Sequence, residues 1–519
     1  MKNRLQTILE RSALFLPHSL LLVMFFLLHN NNENYGLIPP VITLRYAALY
    51  LTICVALLLI SWVVLRDWKK ALLFTTPVLA VYFFFGAFHD TLKTGSLPAF
   101  FSSYKFLLPL IAVFILALFF IIRKMDSRLL SRLHIFSQCV LLVITLPEII
   151  LLVANSVGKA ELAHDFGDTK KTLTSSYNPC DTCSKPDIYL IVFDAYTNSN
   201  CLREEFNFDN SETDSFLLKK GFYIATKSNS NYALSPLSLS SAFNLNYLRP
   251  DLINEKVTGK FIVQSLNTLE KSELPEIMRQ QGYQVKNFSV FNLDGYPVGN
   301  SEYHTHFRKK LVNLQTLGGR VEKDILWNLA FLQPKQTAKN KELSHLANER
   351  ERTILRNLKQ LEQEIDRKTD TARFVYTHLM LPHEPYFFDD KGQLNPPEIV
   401  YRVDPGLYIK QLVYTNTILK DLVNKLLSDT TRPKIIIIAG DHGYREYDDA
   451  SKMPKIFANL TACYFPGKDY SRLYDSISPV NLFRVVLNQH FRQDYPLLPD
   501  SSIYIKSPGL RFEKKGLQH

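Results

Sequence analysis

The sequence predicts a protein of two parts, a membrane domain of five helices and then an extracytoplasmic α/β/α domain with a mostly parallel central sheet. Residues 1–155 contain long apolar runs, whereas the rest of the 519 residues resembles an ordinary globular chain. After residue 186, short apolar runs alternate with helical patterns, which is typical of a parallel sheet. We therefore expect a membrane domain at 1–155, a polar linker at 156–185 and a single large domain at 186–519.

The five candidate spans are long enough to cross a bilayer. They lie at about residues 13–29, 41–65, 71–89, 106–122 and 135–154. The first has no small-residue cleavage site and is followed by further spans, so we interpret it as an uncleaved anchor. The alternative, buried core helices of a soluble protein, does not explain why five such runs share one pattern of flanking charges.

Those flanking charges predict the orientation of the spans. Residues 1–155 hold thirteen Lys and Arg against six Asp and Glu, and most of the basic residues precede the first span or follow the second and fourth. Basic residues favour the cytoplasmic side, which places the N-terminus inside and the large domain outside. The excess charge is thus explained by the membrane, and no nucleic-acid partner is predicted.

Two further features have open interpretations. Glu148 lies within the fifth span, either as a functional ionisable group or near the outer interface. Cys180 and Cys183 form a Cys-x-x-Cys pair in the linker, without a second pair that would complete a zinc site. Outside the cytoplasm, a local disulfide is the better expectation for them.

Two strands of the outer domain with long apolar runs end in acidic residues. Residues 186–193 run into Asp194, and the four isoleucines of 434–440 run into Asp441 and His442. In parallel sheets, chemistry lies beyond the carboxyl ends of the strands. Carboxylate oxygens and an imidazole nitrogen are suitable ligands for a divalent metal, although an isolated Asp-His-Gly is more often a polar turn.

The order of motifs resembles the sulfatase-like branch of the alkaline phosphatase superfamily over about residues 186–500. The resemblance rests on the Asp194 strand, a helix and strand at 216–223, a serine-rich helix start at 235–241, a helix-strand unit at 274–285, His383-Glu384-Pro385-Tyr386 and Asp441-His442-Gly443. It implies an alkaline-phosphatase-like fold and a covalent phosphoryl- or sulfuryl-transfer chemistry. Two-metal members carry further acids after the first strand, but here Ala195 and Tyr196 follow Asp194, which favours a single ion.

The resemblance also implies a role for each site residue. Ser235 is the expected nucleophile, held with Asp194, Asp441 and His442 on a divalent ion, most simply zinc or manganese, that activates its hydroxyl. His383 is expected to bind the substrate. A helix cap at Ser235 and an ordinary surface histidine at 383 are the structural alternatives.

Other side chains near these motifs have weaker claims. Ser238 and Thr197 are the fallback nucleophiles. His378 could be a further ligand, but a buried, hydrogen-bonded histidine is the preferred interpretation. The Cys/Ser-x-Pro-x-Arg motif of formylglycine sulfatases is not present, because Pro236 follows Ser235 directly and Leu239 stands where arginine is expected.

Five spans followed by such a domain resemble the membrane phosphoethanolamine and phosphoglycerol transferases, including lipoteichoic-acid synthase. The resemblance implies a transferase in the bacterial inner (plasma) membrane that moves a phospholipid headgroup phosphate onto an envelope glycan or lipid through a covalent serine intermediate. Two alternatives stay open: a phosphodiester or sulfate-ester hydrolase on the same scaffold, and an inactive membrane scaffold.

Overall fold

The structure is a computed structural model that describes residues 17–95, 98–157, 172–298, 302–326 and 337–507. The chain forms two compact units. The first comprises 1–164 together with 305–333, and the second comprises 165–304 together with 334–519. The predicted outer domain, 186–519, is therefore interrupted by a segment that belongs to the membrane unit.

The membrane unit is built from long apolar helices. Their bounds are α1 His18–Glu33, α2 Pro40–Leu65, α3 Trp68–Thr94, α4 Tyr104–Lys124 and α5 Ser127–Val157. Among the described residues, α2 to α5 are long and apolar enough to cross a membrane. The span predicted at 13–29 begins outside the described residues, and its described part lies in the 16-residue α1, so a fifth crossing stays a prediction.

The surface of these helices fits a lipid environment. Large apolar side chains such as Leu44, Val63, Val113 and Val143 are more than half exposed, which a soluble protein seldom shows over so large an area. Polar groups instead bind one another between helices. The carboxylate of Glu148 accepts a hydrogen bond from Asn32 Nδ2 at 2.7 Å and lies 2.8 Å from His29 Nδ1, so Glu148 joins α5 to the last turns of α1.

The segment 305–326 binds to the helix ends that the sequence places outside the membrane. Arg308 donates to the carbonyl of Leu37 at 2.8 Å, and the Tyr104 hydroxyl donates to Asp324 Oδ2 at 2.6 Å. Gly86 N–H donates to the Gln315 carbonyl at 2.8 Å, and a Cβ at Gly86 would lie 2.5 Å from the Leu314 carbonyl oxygen. Only glycine allows this close approach.

The second unit is an α/β domain around one six-stranded sheet. Its strands are β1 Asp187–Phe193, β2 Tyr223–Ile224, β3 Gln284–Phe288, β4 Arg373–Leu379, β5 Lys434–Gly440 and β6 Thr461–Tyr464. The further helices of the chain are α6 Thr172–Ser176, α7 Ser199–Phe206, α8 Ser211–Lys220, α9 Ser235–Asn244, α10 Gly259–Glu270, α11 Glu273–Gln280, α12 Glu302–Asn313, α13 Leu317–Val321, α14 Thr337–Asp366, α15 Pro397–Val400, α16 Pro405–Ser428 and α17 Pro479–His490. Cys180 and Cys183 form a disulfide ahead of β1.

The sheet order is β2-β6-β5-β1-β4-β3, and the four strands β5, β1, β4 and β3 are parallel. Every residue of β1, β4 and β5 is buried, as expected for central strands covered by helices on both faces. Phe193 pairs with Leu379 on one side and Gly440 on the other. The three strands therefore end at the same level, and the residues that follow them meet at one edge of the sheet.

Candidate metal centre

Asp194 and Asp441 are brought together because they follow adjacent parallel strands. Ala195 adopts a left-handed conformation with φ of 60°, which directs its N–H to Asp441 Oδ1 at 3.0 Å. A Cβ at Gly440 would lie 2.4 Å from the Tyr196 carbonyl oxygen, so glycine is needed for the chain to pass here. Strained backbone of this kind is common where the fold holds a functional group in place.

Each carboxylate has one oxygen in use and one without a hydrogen bond. Asp441 Oδ1 accepts from two backbone N–H groups, and Asp194 Oδ2 contacts His378 Nε2 at 3.1 Å. Asp194 Oδ1 and Asp441 Oδ2 are buried and have no hydrogen-bond partner among the described residues. An uncompensated buried carboxylate oxygen is costly, so a pair of them indicates a place where a cation would bind.

His442 supplies a nitrogen donor to the same space. Its Nδ1 donates to the Gly443 carbonyl at 2.7 Å, which leaves a lone pair on Nε2. Nε2 lies 3.5 Å from Asp194 Oδ1 and 3.6 Å from Asp441 Oδ2. Burial lowers the pKa of His442 to about 4, so the imidazole is neutral at physiological pH, as a metal ligand must be.

Ser235 is the first residue of α9 and is also in contact with these groups. Its hydroxyl lies 3.3 Å from His442 Nε2 and 3.4 Å from Asp194 Oδ2, and the side chain is nearly buried. The fallback nucleophiles are engaged elsewhere. Ser238 donates to the Asp441 carbonyl at 2.5 Å, and Thr197 Oγ1 accepts from the Tyr444 N–H at 2.7 Å.

The donor set fits a small divalent ion. Three oxygens, Ser235 Oγ, Asp194 Oδ1 and Asp441 Oδ2, lie 3.3, 3.5 and 3.6 Å from His442 Nε2. Ligands bound tetrahedrally at 2.0–2.2 Å are about 3.4 Å apart. These three separations are compatible with a divalent ion such as zinc, and the assignment of the four residues as its ligands stays a prediction.

Two histidines after and within β4 complete the surroundings of Asp194. His378 is fully buried, with Tyr376 on its Nδ1 and Asp194 on its Nε2. It is thus buried and hydrogen-bonded, and it also orients the Asp194 carboxylate, which sequence reasoning did not anticipate. It remains a candidate ligand as well, because Asp194, His378 and Asp441 form a group that could hold a metal ion. His383 Nε2 lies 3.9 Å from Asp194 Oδ1. Burial raises the pKa of Asp194, but His383, His378 and His442 outweigh this and leave that pKa below its usual value.

Arg445 is a site residue that the sequence analysis missed. Its guanidinium donates to His383 Nε2 at 2.6 Å and to the Ala233 carbonyl at 3.1 Å, two residues before Ser235. Because arginine can only donate, His383 Nε2 accepts, and the proton of the neutral ring lies on Nδ1 beside the Glu384 carbonyl. The sequence did contain a signal for this residue, because a basic side chain stands four residues after Asp441, on the loop that follows β5.

The comparison with protein families agrees with this geometry. Residues 233–486, just under half of the chain, match the family model described as Sulfatase. The matched segment includes Ser235, His383, Asp441 and His442, whereas Asp194 lies before it. The predicted resemblance to sulfatase-like enzymes is confirmed for this segment.

The matches to solved structures have low sequence identities and low TM-scores. The C-terminal periplasmic domain of EcEptC from Escherichia coli, in complex with Zn, is 13% identical with a TM-score of 0.39, covering 64% of this chain and 94% of that chain. Integral membrane lipooligosaccharide phosphoethanolamine transferase A (EptA) from Neisseria meningitidis is 12% identical with a TM-score of 0.36, covering 95% of this chain and 96% of that chain. An alkaline phosphatase superfamily protein from Vibrio parahaemolyticus is 12% identical with a TM-score of 0.37, covering 63% and 71%.

A sequence search of curated proteins finds no significant match. The match to the Sulfatase family model over part of the chain supports an enzyme. The described residues also include four helices apolar and long enough to cross a membrane. Two groups of side chains could hold a metal ion, Asp194 with His383 and His442, and Asp194 with His378 and Asp441.

Proposed function

We propose that the protein is a metal-dependent, membrane-anchored phosphotransferase that uses Ser235 as its nucleophile. The proposed donor is a membrane phospholipid, from which the enzyme takes phosphoethanolamine or phosphoglycerol. The proposed acceptor is a hydroxyl-bearing glycan or lipid of a bacterial cell envelope, with the outer domain on the extracytoplasmic face of the plasma membrane. The observation that carries the proposal is the convergence of the Ser235 hydroxyl with two unpartnered carboxylate oxygens and a neutral imidazole.

The bound ion, zinc or manganese with a single ion as the simplest case, would neutralise charge and favour the deprotonated form of the serine hydroxyl. Asp194, Asp441 and His442 would hold it. His378 fixes the Asp194 carboxylate by its hydrogen bond, and the Gly443 carbonyl fixes the ring of His442. The chain thus provides ligands whose orientation is set before the substrate arrives.

The transfer needs two displacements at phosphorus. Ser235 Oγ attacks the headgroup phosphate, the Oγ–P bond forms, and the bond from phosphorus to the diacylglycerol oxygen breaks. The serine hydroxyl loses one proton as it attacks, and the diacylglycerol oxygen gains one proton as it leaves. The acceptor hydroxyl then attacks the same phosphorus, loses its proton, and Ser235 is released as the free alcohol.

His383 and Arg445 are suited to the phosphate and to the proton. Arg445 is a permanent cation beside the loop of Ser235, and bidentate binding of phosphate oxygens is the strongest interaction that a guanidinium makes. When the substrate phosphate binds the Arg445 guanidinium, His383 Nε2 no longer accepts a hydrogen bond from it. The imidazole can then transfer a proton to or from the reacting oxygens.

A hydrolase on the same scaffold is the second candidate, because the matched family model is that of sulfatases. The acids and histidines grouped around Asp194, which could hold a metal ion, argue against an inactive scaffold. The test uses the full chain in detergent with zinc or manganese and vesicles containing phosphatidylethanolamine or phosphatidylglycerol. Metal-dependent diacylglycerol release with a headgroup adduct on Ser235 supports the transferase. Release of the headgroup to water without any adduct favours the hydrolase, and failure to bind metal would overturn both.

A further inference from the structure

An open groove lies on the membrane unit, between α1, the turn that follows it, the first turn of α2 and the last turns of α5. Its volume is about 690 Å³, which is within the range of sites that hold small organic ligands. Much of its wall is apolar, with Leu27 and Leu28 from α1, Leu44 from α2 and Leu152 from α5. A groove of this size and lining suits an apolar ligand.

The two helices that form most of the groove run in the same direction. His18 of α1 lies 3.1 Å from His134 of α5, measured between Nε2 and Nδ1. Fourteen residues further along both helices, Asn32 donates to the Glu148 carboxylate at 2.7 Å. Two contacts with equal spacing on both helices show that α1 and α5 are parallel, so the level of each lining residue can be compared.

The groove is elongated along the helix axes. Its lining includes Leu28, four residues before Asn32 on α1, and Ser156, eight residues after Glu148 on α5. Because Asn32 and Glu148 are at the same level and a helix rises 1.5 Å per residue, the lining extends over about 18 Å. That length suits an extended hydrocarbon chain better than a compact molecule.

The polarity of the lining changes along this length. Leu27 and Leu28 form the end that lies deeper in the helix bundle, whereas Tyr35, Asn155 and Ser156 line the end that the sequence places outside the membrane. The Tyr35 hydroxyl and the Asn155 amide make no hydrogen bond with any described residue, so both can donate to a ligand. An amphiphile with an apolar tail and hydrogen-bond acceptors at its outer end matches this gradient.

A cation lies next to the groove. Arg45 directly follows the lining residue Leu44 on α2, is exposed between the exposed Leu44 and Leu49, and makes no ion pair with a described residue. An arginine on the lipid-facing side of a span is costly unless its long side chain reaches the polar surface or an anion. Phosphate groups are the anions that a membrane surface provides, and they attract such residues.

We propose that this groove holds one acyl chain of a membrane phospholipid, with the lipid phosphate on Arg45 and its ester oxygens at Tyr35 and Asn155. The lipid is a resident of the membrane unit and not a reactant, because the groove and Arg45 contact the chain and the phosphate, which all phospholipids share. The site is therefore separate from the proposed phosphotransfer and does not depend on it.

The experiment measures lipid binding to the full chain in detergent after its phospholipids have been removed. A chelator is present throughout, so that no metal-dependent headgroup transfer can consume the lipid. Dioleoylphosphatidylcholine is added stepwise, and native mass spectrometry counts the lipids bound to each protein. Dioleoylglycerol, which has the same chains and no phosphate, serves as the comparison ligand.

We expect one phospholipid to bind more tightly than any further ones and to raise the melting temperature. A basic residue near a membrane surface contributes about 1 kcal/mol towards an anionic lipid group, which corresponds to about fivefold in Kd. Dioleoylglycerol should therefore bind about fivefold more weakly than dioleoylphosphatidylcholine.

Two variants locate the site, each with a matched control. Arg45→Gln removes the cation and should weaken phospholipid binding by about fivefold, whereas Arg128→Gln, at another exposed position of the membrane unit, should not. Leu152→Trp fills the groove and should abolish the tight binding, whereas Leu146→Trp, exposed on the same helix and outside the groove lining, should keep it.

The results can overturn the proposal in two ways. Equal phospholipid affinity of folded Leu152→Trp and Leu146→Trp would show that the groove holds no chain. Equal affinity for the two lipids in the wild type, or an Arg45→Gln variant that binds phospholipid as tightly as Arg128→Gln, would refute the phosphate contact. If Leu152→Trp does not fold, the Arg45→Gln comparison decides alone, and neither result bears on the phosphotransferase test.

Discussion

Replacing Asp441 by asparagine should weaken metal binding while stabilising the metal-free protein. The carboxylate is 3% exposed, its Oδ1 accepts two backbone N–H groups at 3.0 Å, and its Oδ2 has no partner. Asparagine keeps the Oδ1 contacts and places an N–H₂ group 3.6 Å from the lone pair of His442 Nε2. It thereby removes an unpartnered charge but also a metal ligand.

The magnitudes follow from these contacts. An unpartnered buried polar group costs about 1–3 kcal/mol, so the chelator-treated variant should gain a free energy of unfolding of that order. Losing a residue that only supports a ligand costs about 10–100-fold in metal affinity, so losing the ligand itself should cost at least about 100-fold. At a zinc concentration 100 times the wild-type Kd, zinc then stabilises the wild type by about 2.7 kcal/mol and the variant by about 0.4 kcal/mol.

The assay is chemical unfolding of the full chain in detergent, with chelator and with buffered zinc, combined with chelator competition for the Kd. The matched control is Asp187→Asn, at the other end of β1, where the buried carboxylate pairs with Arg373 at 2.8 Å. Breaking that pair should destabilise the protein by about 3–5 kcal/mol and leave zinc affinity unchanged. Zinc affinity of Asp441→Asn within about tenfold of the wild type would refute the ligand assignment, and destabilisation of its metal-free form would refute the reasoning on the unpartnered oxygen.

Three further predictions concern the nucleophile, the titration of the site and the docked segment. Ser235→Ala should abolish the headgroup adduct and lower turnover by about 1000-fold or more, whereas the control Ser238→Ala should keep the adduct. Mass spectrometry of the trapped protein detects the adduct. An adduct in Ser235→Ala would exclude Ser235 as the nucleophile. Because burial lowers the pKa of His442 to about 4, the unfolded chain binds a proton between pH 6.5 and 4 that the folded one does not. The metal-free protein should therefore lose about 3 kcal/mol of stability as the pH falls through that window, and a flat profile in urea unfolding that matches His442→Gln would contradict this. Gly86→Ala places a Cβ 2.5 Å from the backbone of segment 305–326. This clash should lower the melting temperature by an amount that corresponds to about 1–3 kcal/mol. The control Gly259→Ala has open space around its Cβ and should not change stability through packing, and equal melting temperatures of the two variants would show that the segment does not need the close contact at Gly86.

Much of the outer domain was predictable because its signals are local. The four isoleucines of β5 and the apolar run of β1 identified the central strands, and the acids that follow them pointed to the edge of the sheet where the candidate metal ligands lie. The apolar runs of the membrane domain similarly gave α2 to α5. The first span stays a prediction, because residues 13–16 lie outside the described part of the chain. The boundaries at 155 and 185 stay predictions too.

Other features depend on contacts between residues far apart in sequence. Nothing local in 305–326 shows that the segment packs with the membrane helices, because its partners, such as Leu37 and Gly86, lie more than 200 residues away. Likewise, His378 was expected to be a buried histidine, but only the pairing of β4 with β1 places its Nε2 on Asp194.

The sequence by itself determined the two-part architecture, the strand ends and the residue types that could hold a metal, because hydrophobic period and the alternation of strands and helices are local properties of the chain. Only the tertiary structure decided which atoms converge: that one oxygen of Asp194 and one of Asp441 are left without a partner, and that Arg445 contacts His383. The physical reason is that parallel register aligns the strand ends, whereas the direction of each side chain beyond them is set by hydrogen bonds and packing with neighbours that the linear sequence does not specify.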